Sequence, residues 1–310
     1  MAETDESAAA AQANDTSADS SPMVIPKPIK TPMYQAQNAE RYMRQAQIKD
    51  IQAASNCRLL CYVAGNGAQI TRDDTLGIVE MLHNVPFGNN IDLLLQTGGG
   101  DIDAAEKIVA MLRASVGKNG RFRVIVPDFA KSAGTLISLA ADKILMSDSS
   151  ELGPIDPQFL KRDGDGNLRW LSVLNYLNAY QIICEQLRNA PDDLPAKVML
   201  SKLDPTTVVQ FEAIKRRARM LAEQHLNRWM FQHKKATYTK IAGDLMDINR
   251  WPAHGQMISW EDAREMELEI EYLPPNSKEW RAYWSLYCQQ RLAVKDGTKL
   301  FESDYASLAM

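Results

Sequence analysis

Two short segments hold the residue types that acyl-transfer chemistry needs. In the first, LLLQ-TGGG-DIDAAEKI, an apolar run stops at Gly98, Gly99 and Gly100 before a helical pattern begins. Glycine tolerates positive φ and lets a ligand come close to the backbone. N–H groups at such a turn can bind an anion or a developing oxyanion. The same run is equally compatible with a plain tight strand–helix turn. In the second, RVIVPDFA-KSAGTLISLAADKILM, Ser132 stands near the start of a helical pattern among Ala130, Ala133 and Gly134. Small neighbours give a substrate chain access to the hydroxyl, and a nucleophilic serine needs that access together with a base. The competing role for Ser132 is a helix N-cap. Neither glycine segment is a phosphate loop, because GxxxxGK[ST] and GxGxxG are both absent.

The surrounding pattern says how these residues are carried. Apolar runs at Cys57–Val63, Ile91–Gln96, Phe122–Pro127 and Lys143–Met146 read as strands. Helical patterns fall between them: one capped by Thr71 or Asp73 and running to about His83, then Ile102–Val116, then Ser132–Ala141. Alternation of this kind predicts a parallel sheet of crossover units, and sites in such sheets gather at the carboxyl ends of neighbouring strands. The glycine turn and Ser132 lie about thirty residues apart, one crossover unit. A polar helix is expected over Gln35–Ser55. Beyond about Leu168 the pattern is mostly helical, near Trp170–Leu187 and Pro205–Gln232. A small strand–helix–strand at Met257–Tyr272 ends the core, and a helix at Ser277–Leu292 closes the chain.

Composition bounds the function. The chain has 310 residues, 45% hydrophobic and 24% charged, with net charge −4. These are the proportions of a globular protein, and nothing in the balance points to nucleic acid. Residues 1 to about 21 lack aromatic and branched apolar side chains and are expected to be disordered. Pro22, Pro26, Pro28 and Pro32 extend that arm. Cys57, Cys61, Cys184 and Cys288 are scattered and complete no metal site, so reduced thiols are expected. No cofactor is expected either. No apolar run reaches the roughly 18–20 residues of a membrane span, and the acidic N-terminus does not read as a secretory signal. The expectation is cytoplasmic.

Taken together, the motifs resemble the ClpP/crotonase superfamily. TGGGDIDAAEKI resembles the oxyanion turn of the Clp protease proteolytic subunit and of signal peptide peptidase A. AKSAGTLISLAADKILM resembles their nucleophile helix. ELGPIDPQF and MISWEDAREMEL resemble later elements bordering that site, and the strings SAGTLI, AAD and GPIDPQ resemble the serine dehydrogenase proteinase (SDH-type) branch. The resemblance spans about Cys57 to Tyr272. It implies an α/β fold of repeated β-β-α and βαβ units with a helical C-terminal extension. The chain then divides into an arm (1–34), a peptidase domain (35–272) and a helical tail (273–310). The branch's name lends no support to dehydrogenase chemistry, since no dinucleotide fingerprint is present.

The resemblance also implies a serine peptidase with Ser132 as nucleophile, the Gly98–Gly100 turn and Ala133 beside the substrate, and a homo-oligomer. A peptide or protein substrate is implied, with an ATPase or a membrane protein as candidate partner. The turn that carries the catalytic histidine in Clp peptidases reads Ile155-Asp156-Pro157-Gln158 here, without histidine. The base must come from elsewhere. Lys202 precedes a long helix as the lysine of signal peptide peptidase A does, with Lys197 and Lys161 behind it. His254, in RWPAHGQMISWEDA, is the other candidate, because imidazole transfers protons near neutral pH. Asp156 either orients a base or faces substrate. His83, His225 and His233 look incidental. Two other readings share the fold: a catalytically silent scaffold, and an acyl-CoA enzyme that uses the oxyanion turn without a nucleophile.

Overall fold

The computed structural model describes residues 30–162, 166–232 and 238–310. Most of the expected N-terminal arm, the Lys161 side chain and His233 lie outside the described residues. The described residues 30–39 belong to one unit and Glu40–Met310 form another. In the first, α1 (Pro32–Gln37) is capped by the Thr31 hydroxyl, which accepts from Tyr34 N–H.

The main unit starts within α2 (Ala39–Ser55). There follow β1 (Arg58–Ala64), α3 (Asp74–Leu82), β2 (Ile91–Gln96), α4 (Ile102–Val116), β3 (Phe122–Ile125), the two-residue β4 (Phe129–Ala130), α5 (Ala133–Leu139), β5 (Lys143–Met146) and β6 (Glu151–Leu152). Next come β7 (Gln158–Arg162), β8 (Leu168–Ser172), α6 (Val173–Asn189), α7 (Leu194–Ser201) and α8 (Pro205–His225), which continues into one π-helical turn, Leu226–Met230. The chain ends with α9 (Tyr238–Leu245), α10 (Trp260–Glu265), β9 (Ile270–Tyr272), α11 (Lys278–Ala293), β10 (Lys299–Glu302) and β11 (Ser307–Ala309).

The main sheet has the order β11-β10-β1-β2-β3-β5-β9. The run from β1 to β9 is parallel, whereas β10 and β11 add on antiparallel beside β1. Strand residues alternate between two cores, as the two-residue period requires. Leu60, Tyr62, Leu93 and Leu95 face a core shared with α3, α4, α5 and α8. Leu59, Cys61, Val63 and Leu94 face a second core built with Ile48 and Ile51 of α2 and Trp280, Tyr283 and Leu286 of α11. Every residue of β2 is buried, which is why it reads as one continuous apolar run. Its one charge, Asp92, pairs at 2.6 Å with Arg123 on β3.

Three expectations are corrected. The sheet is mixed rather than parallel, because the chain does not close on the tail helix. After α11, Lys299–Glu302 returns to pair with β1, and Arg44 of α2 binds Glu302 at 2.9 Å in the interior. Trp170 is not helical: β7 and β8 form a hairpin with Leu160 opposite Trp170, and α6 begins after the Ser172 cap. Met257–Ile258 is no strand of the main sheet, since Ile258 only bridges Leu152 of β6.

Candidate active site

The strand ends bring the two chemical segments together. Thr97 bridges Ala130, and the peptide groups of Thr97 and Lys131 are hydrogen-bonded, so the glycine turn lies directly against the residue before Ser132. Gly99 has φ +103. A Cβ there would stand 2.9 Å from Lys131 O, 2.9 Å from Ser132 Cβ and 3.3 Å from Ala133 N. Glycine at 99 is therefore dictated by close packing onto the serine as well as by φ, and glycine at 100 by its φ of +150 and its packing on Ile70. Beyond the turn Asp101 caps α4 by accepting from Asp103 and Ala104 N–H.

Ser132 is not a capping residue. It precedes α5 with φ 51 and ψ −111, and its hydroxyl makes no cap hydrogen bond. A non-glycine residue with positive φ stores strain of about 1–3 kcal/mol and needs its surroundings to hold it. Gly134 N–H donating to Lys131 O at 2.7 Å, and Thr135 Oγ1 donating to Ala130 O at 2.8 Å, supply that hold. The result is a partly exposed hydroxyl at the floor of a cleft.

The cleft has a volume of about 800 Å³ and is lined by Gly98, Gly99, Gly100, Ser132 and His254, with Trp170 among its walls. Gly99 N–H donates to Thr97 Oγ1 at 3.1 Å. Among the described residues the N–H groups of Gly98, Gly100 and Ala133 have no protein acceptor. These are the donors available to an oxyanion.

His254 reaches the cleft from the loop before α10. Its Nδ1 lies 3.4 Å from Asp156 Oδ2. That contact falls outside hydrogen-bonding geometry, and the buried Nδ1 has no other partner. Loose contacts of this kind are common before substrate binds. Asp156 is itself 6% exposed and accepts from the Ser172 hydroxyl at 2.8 Å, so Ser172 of β8 fixes one carboxylate oxygen and leaves the other toward the imidazole.

Neither Lys202 nor Lys197 converges here. Lys202 is the exposed C-cap of α7 and does not line the cleft. Lys197, also exposed, pairs with Asp192 at 3.3 Å. His83 lines a separate pocket beside Glu80 and Tyr305. His225 is buried with Nδ1 3.0 Å from Leu136 O of α5, and burial lowers its pKa. Sequence reasoning missed Lys131, a buried lysine between Ala130 and Ser132. Its signal was a lone charge inside an otherwise small and apolar segment.

The chain is thus a layered α/β protein in which a strained serine packs against a glycine turn. Residues 68–172 match the family of ClpP-like SDH-type serine proteinases. The resemblance to that branch is thus borne out over the segment holding Gly98–Gly100, Ser132 and Asp156. Two proteins of Methanocaldococcus jannaschii are similar: the uncharacterized protein MJ0137, 45% identical, and the uncharacterized protein MJ1495, 39% identical, each over 89 residues. Each match covers 29% of this chain and 30% of the relative. Among solved structures, a lysine-to-alanine mutant of the 1510-N membrane-bound stomatin-specific protease with a substrate peptide overlaps 75% of this chain and 99% of its own, at 16% identity and TM-score 0.33. A serine-to-alanine mutant of that protease overlaps 71% and 100%, at 19% identity and TM-score 0.26. Among the described residues no helix is long and apolar enough to cross a membrane, and no group of residues could hold a metal ion.

Proposed function

We propose that the chain is a serine peptidase that cleaves peptide bonds through an acyl-enzyme on Ser132, with His254 as general base and Asp156 as the group that orients it. The observation that carries this reading is the sharing of one cleft by an uncapped, strained serine and a histidine backed by a buried carboxylate. Ser132 Oγ attacks the scissile carbonyl carbon while His254 takes its proton. The imidazolium then returns that proton to the leaving amine as the peptide bond breaks, and a water activated by His254 hydrolyses the ester. Nδ1 faces Asp156, which leaves Nε2 for the proton. Amides of the Gly98–Gly100 turn and of Ala133 receive the oxyanion, an interaction that strengthens as charge develops.

The triad would differ from that of Clp peptidases in where its members stand. The aspartate occupies the turn that holds histidine in those enzymes, and the histidine lies on the late loop. Assembly into a homo-oligomer, and an ATPase or membrane-protein partner, belong to the same proposal and rest on the resemblance alone. The test is incubation of the full chain with an unfolded protein substrate, with new N-termini read by mass spectrometry. Cleavage that disappears in Ser132→Ala supports the proposal. Cleavage unchanged in that variant, or none by the folded protein, overturns it.

A further inference from the structure

We infer that Lys131 is the positioning residue that sets His254 relative to Ser132; the inference rests on the acyl-transfer reading of the same cleft. The two groups reach the cleft from segments far apart in sequence. Ser132 sits in a turn held by β4 and α5. His254 sits in a loop whose peptide groups pair with the strand side at Leu152 and Ile258. Its own ring contact, to Asp156 at 3.4 Å, is not a hydrogen bond. A side-chain tie joins the loop to the nucleophile's segment as well.

Lys131 makes that tie. It is peptide-bonded to Ser132, and its side chain turns away from the cleft into the interior. There Nζ meets Glu151 Oε2 at 2.8 Å and the carbonyl oxygens of Leu152, Gln256 and Gly255 at 3.3, 3.2 and 3.4 Å. An ammonium has three donors, and these four oxygens surround it, so the side chain ties together the segments that carry them. Gly255 and Gln256 are the two residues that follow His254. One peptide bond thus separates the lysine from the nucleophile, and one separates the nearer of its acceptors from the base. The stem has a channel kept open for it: a Cβ at Gly153 would stand 2.6 Å from Lys131 Cδ. Burying an ammonium is unfavourable unless it is paired and hydrogen-bonded, and here two of its four partners, the carbonyls of Gly255 and Gln256, belong to the loop that carries the imidazole.

The test uses the full chain and two readouts. Lys131→Met keeps the stem and removes the charge. Amide exchange over residues 254–258 should rise by about tenfold or more while α11 is unchanged, since local opening follows lost tertiary ties. The rate at which a fluorophosphonate labels Ser132 should fall roughly tenfold to hundredfold, and should fall no further when Lys131→Met is added to His254→Ala, because a group acting only through His254 has nothing left to position. If Lys131→Met does not fold, Gly153→Ala displaces the stem with the charge kept and is read the same way. Unchanged exchange at 254–258 overturns the inference, as does an equal loss of labelling with and without His254. If wild-type Ser132 takes no label at all, the acyl-transfer reading fails, and the exchange result alone still decides whether Lys131 clamps the loop.

Discussion

Substituting Gly99 by alanine tests the packing on which the site depends. At φ +103 an alanine bears a backbone cost of about 1–3 kcal/mol. Its Cβ would stand 2.9 Å from both Lys131 O and Ser132 Cβ, against an ordinary contact of 3.4 Å or more, so turn and nucleophile must part by roughly 0.5 Å. Overpacking of that kind costs about 1–3 kcal/mol more. Summed, the loss is about 2–6 kcal/mol, a fall in thermal midpoint of roughly 5–20 °C for a chain of this size. Because a misplacement of about 1 Å can cost a factor of about 100 in rate, labelling of Ser132 by a fluorophosphonate should slow by about tenfold. Gly98→Ala is the matched comparison. Nothing lies within 4 Å of the Cβ it would add, and its φ is not positive, so its stability should be unchanged or higher by about 0.4–1 kcal/mol. The assay is a thermal melt of both variants beside timed labelling. Equal midpoints for the two substitutions would refute the reasoning.

Other expectations follow from the same geometry. Lys202→Ala should leave Ser132 labelling within about twofold of wild type, because Lys202 is exposed at the end of α7 and does not line the cleft; a large loss would return the lysine to the mechanism. Asp156→Asn removes the charge facing His254 and should slow labelling by about a hundredfold or more with the midpoint nearly kept, as loss of an orienting carboxylate does elsewhere. Glu302→Ala leaves Arg44 buried without its partner and should cost about 3–5 kcal/mol in a denaturant melt, much of it recovered in the Arg44→Met, Glu302→Leu double variant. His225 gives a pH signature. Burial, with Arg113 and Arg217, holds its pKa below the ordinary 6.5, against the opposing pull of Leu136 O and Glu106. The unfolded chain therefore takes up the proton first on acidification, so stability present above about pH 6.5 is lost as pH falls, by at most about 1.4 kcal/mol per unit. His225→Gln should flatten the melt-versus-pH slope between pH 7 and 5.5; an identical slope would contradict the assignment.

Much of the sheet was legible because its strands are buried on both faces and read as unbroken apolar runs. Ile91–Gln96 and Lys143–Met146 are strands at those bounds, and Ile102–Val116 is a helix at its expected bounds. The β7–β8 hairpin was not legible. One of its faces packs on Phe211 through Phe159, while Leu160, Leu168 and Trp170 are exposed, so its apolar residues blur the two-residue alternation. The final hairpin was missed for a different reason. Lys299–Glu302 carries buried charges, Lys299 bound to Asp74 and Glu302 to Arg44, and a strand whose polar residues have distant partners looks like tail in a local reading. At the site, Ser132 and the glycine turn announced themselves by residue type. The proximity of His254 and Asp156 could not be read, since the two lie about a hundred residues apart in sequence and are brought together by tertiary contacts such as the Leu152–Ile258 bridge. Lys202 attracted attention by its place before a helix, a local feature that says nothing of where the helix end points.

The most direct measurement is reaction of the folded full chain with a broad fluorophosphonate, with the adduct mapped by mass spectrometry in wild type, Ser132→Ala and His254→Ala. The acyl-enzyme account predicts an adduct on Ser132 that is absent in Ser132→Ala and at least tenfold slower to form in His254→Ala. A folded protein that takes no label, or one whose Ser132 labels at the same rate without His254, would contradict it.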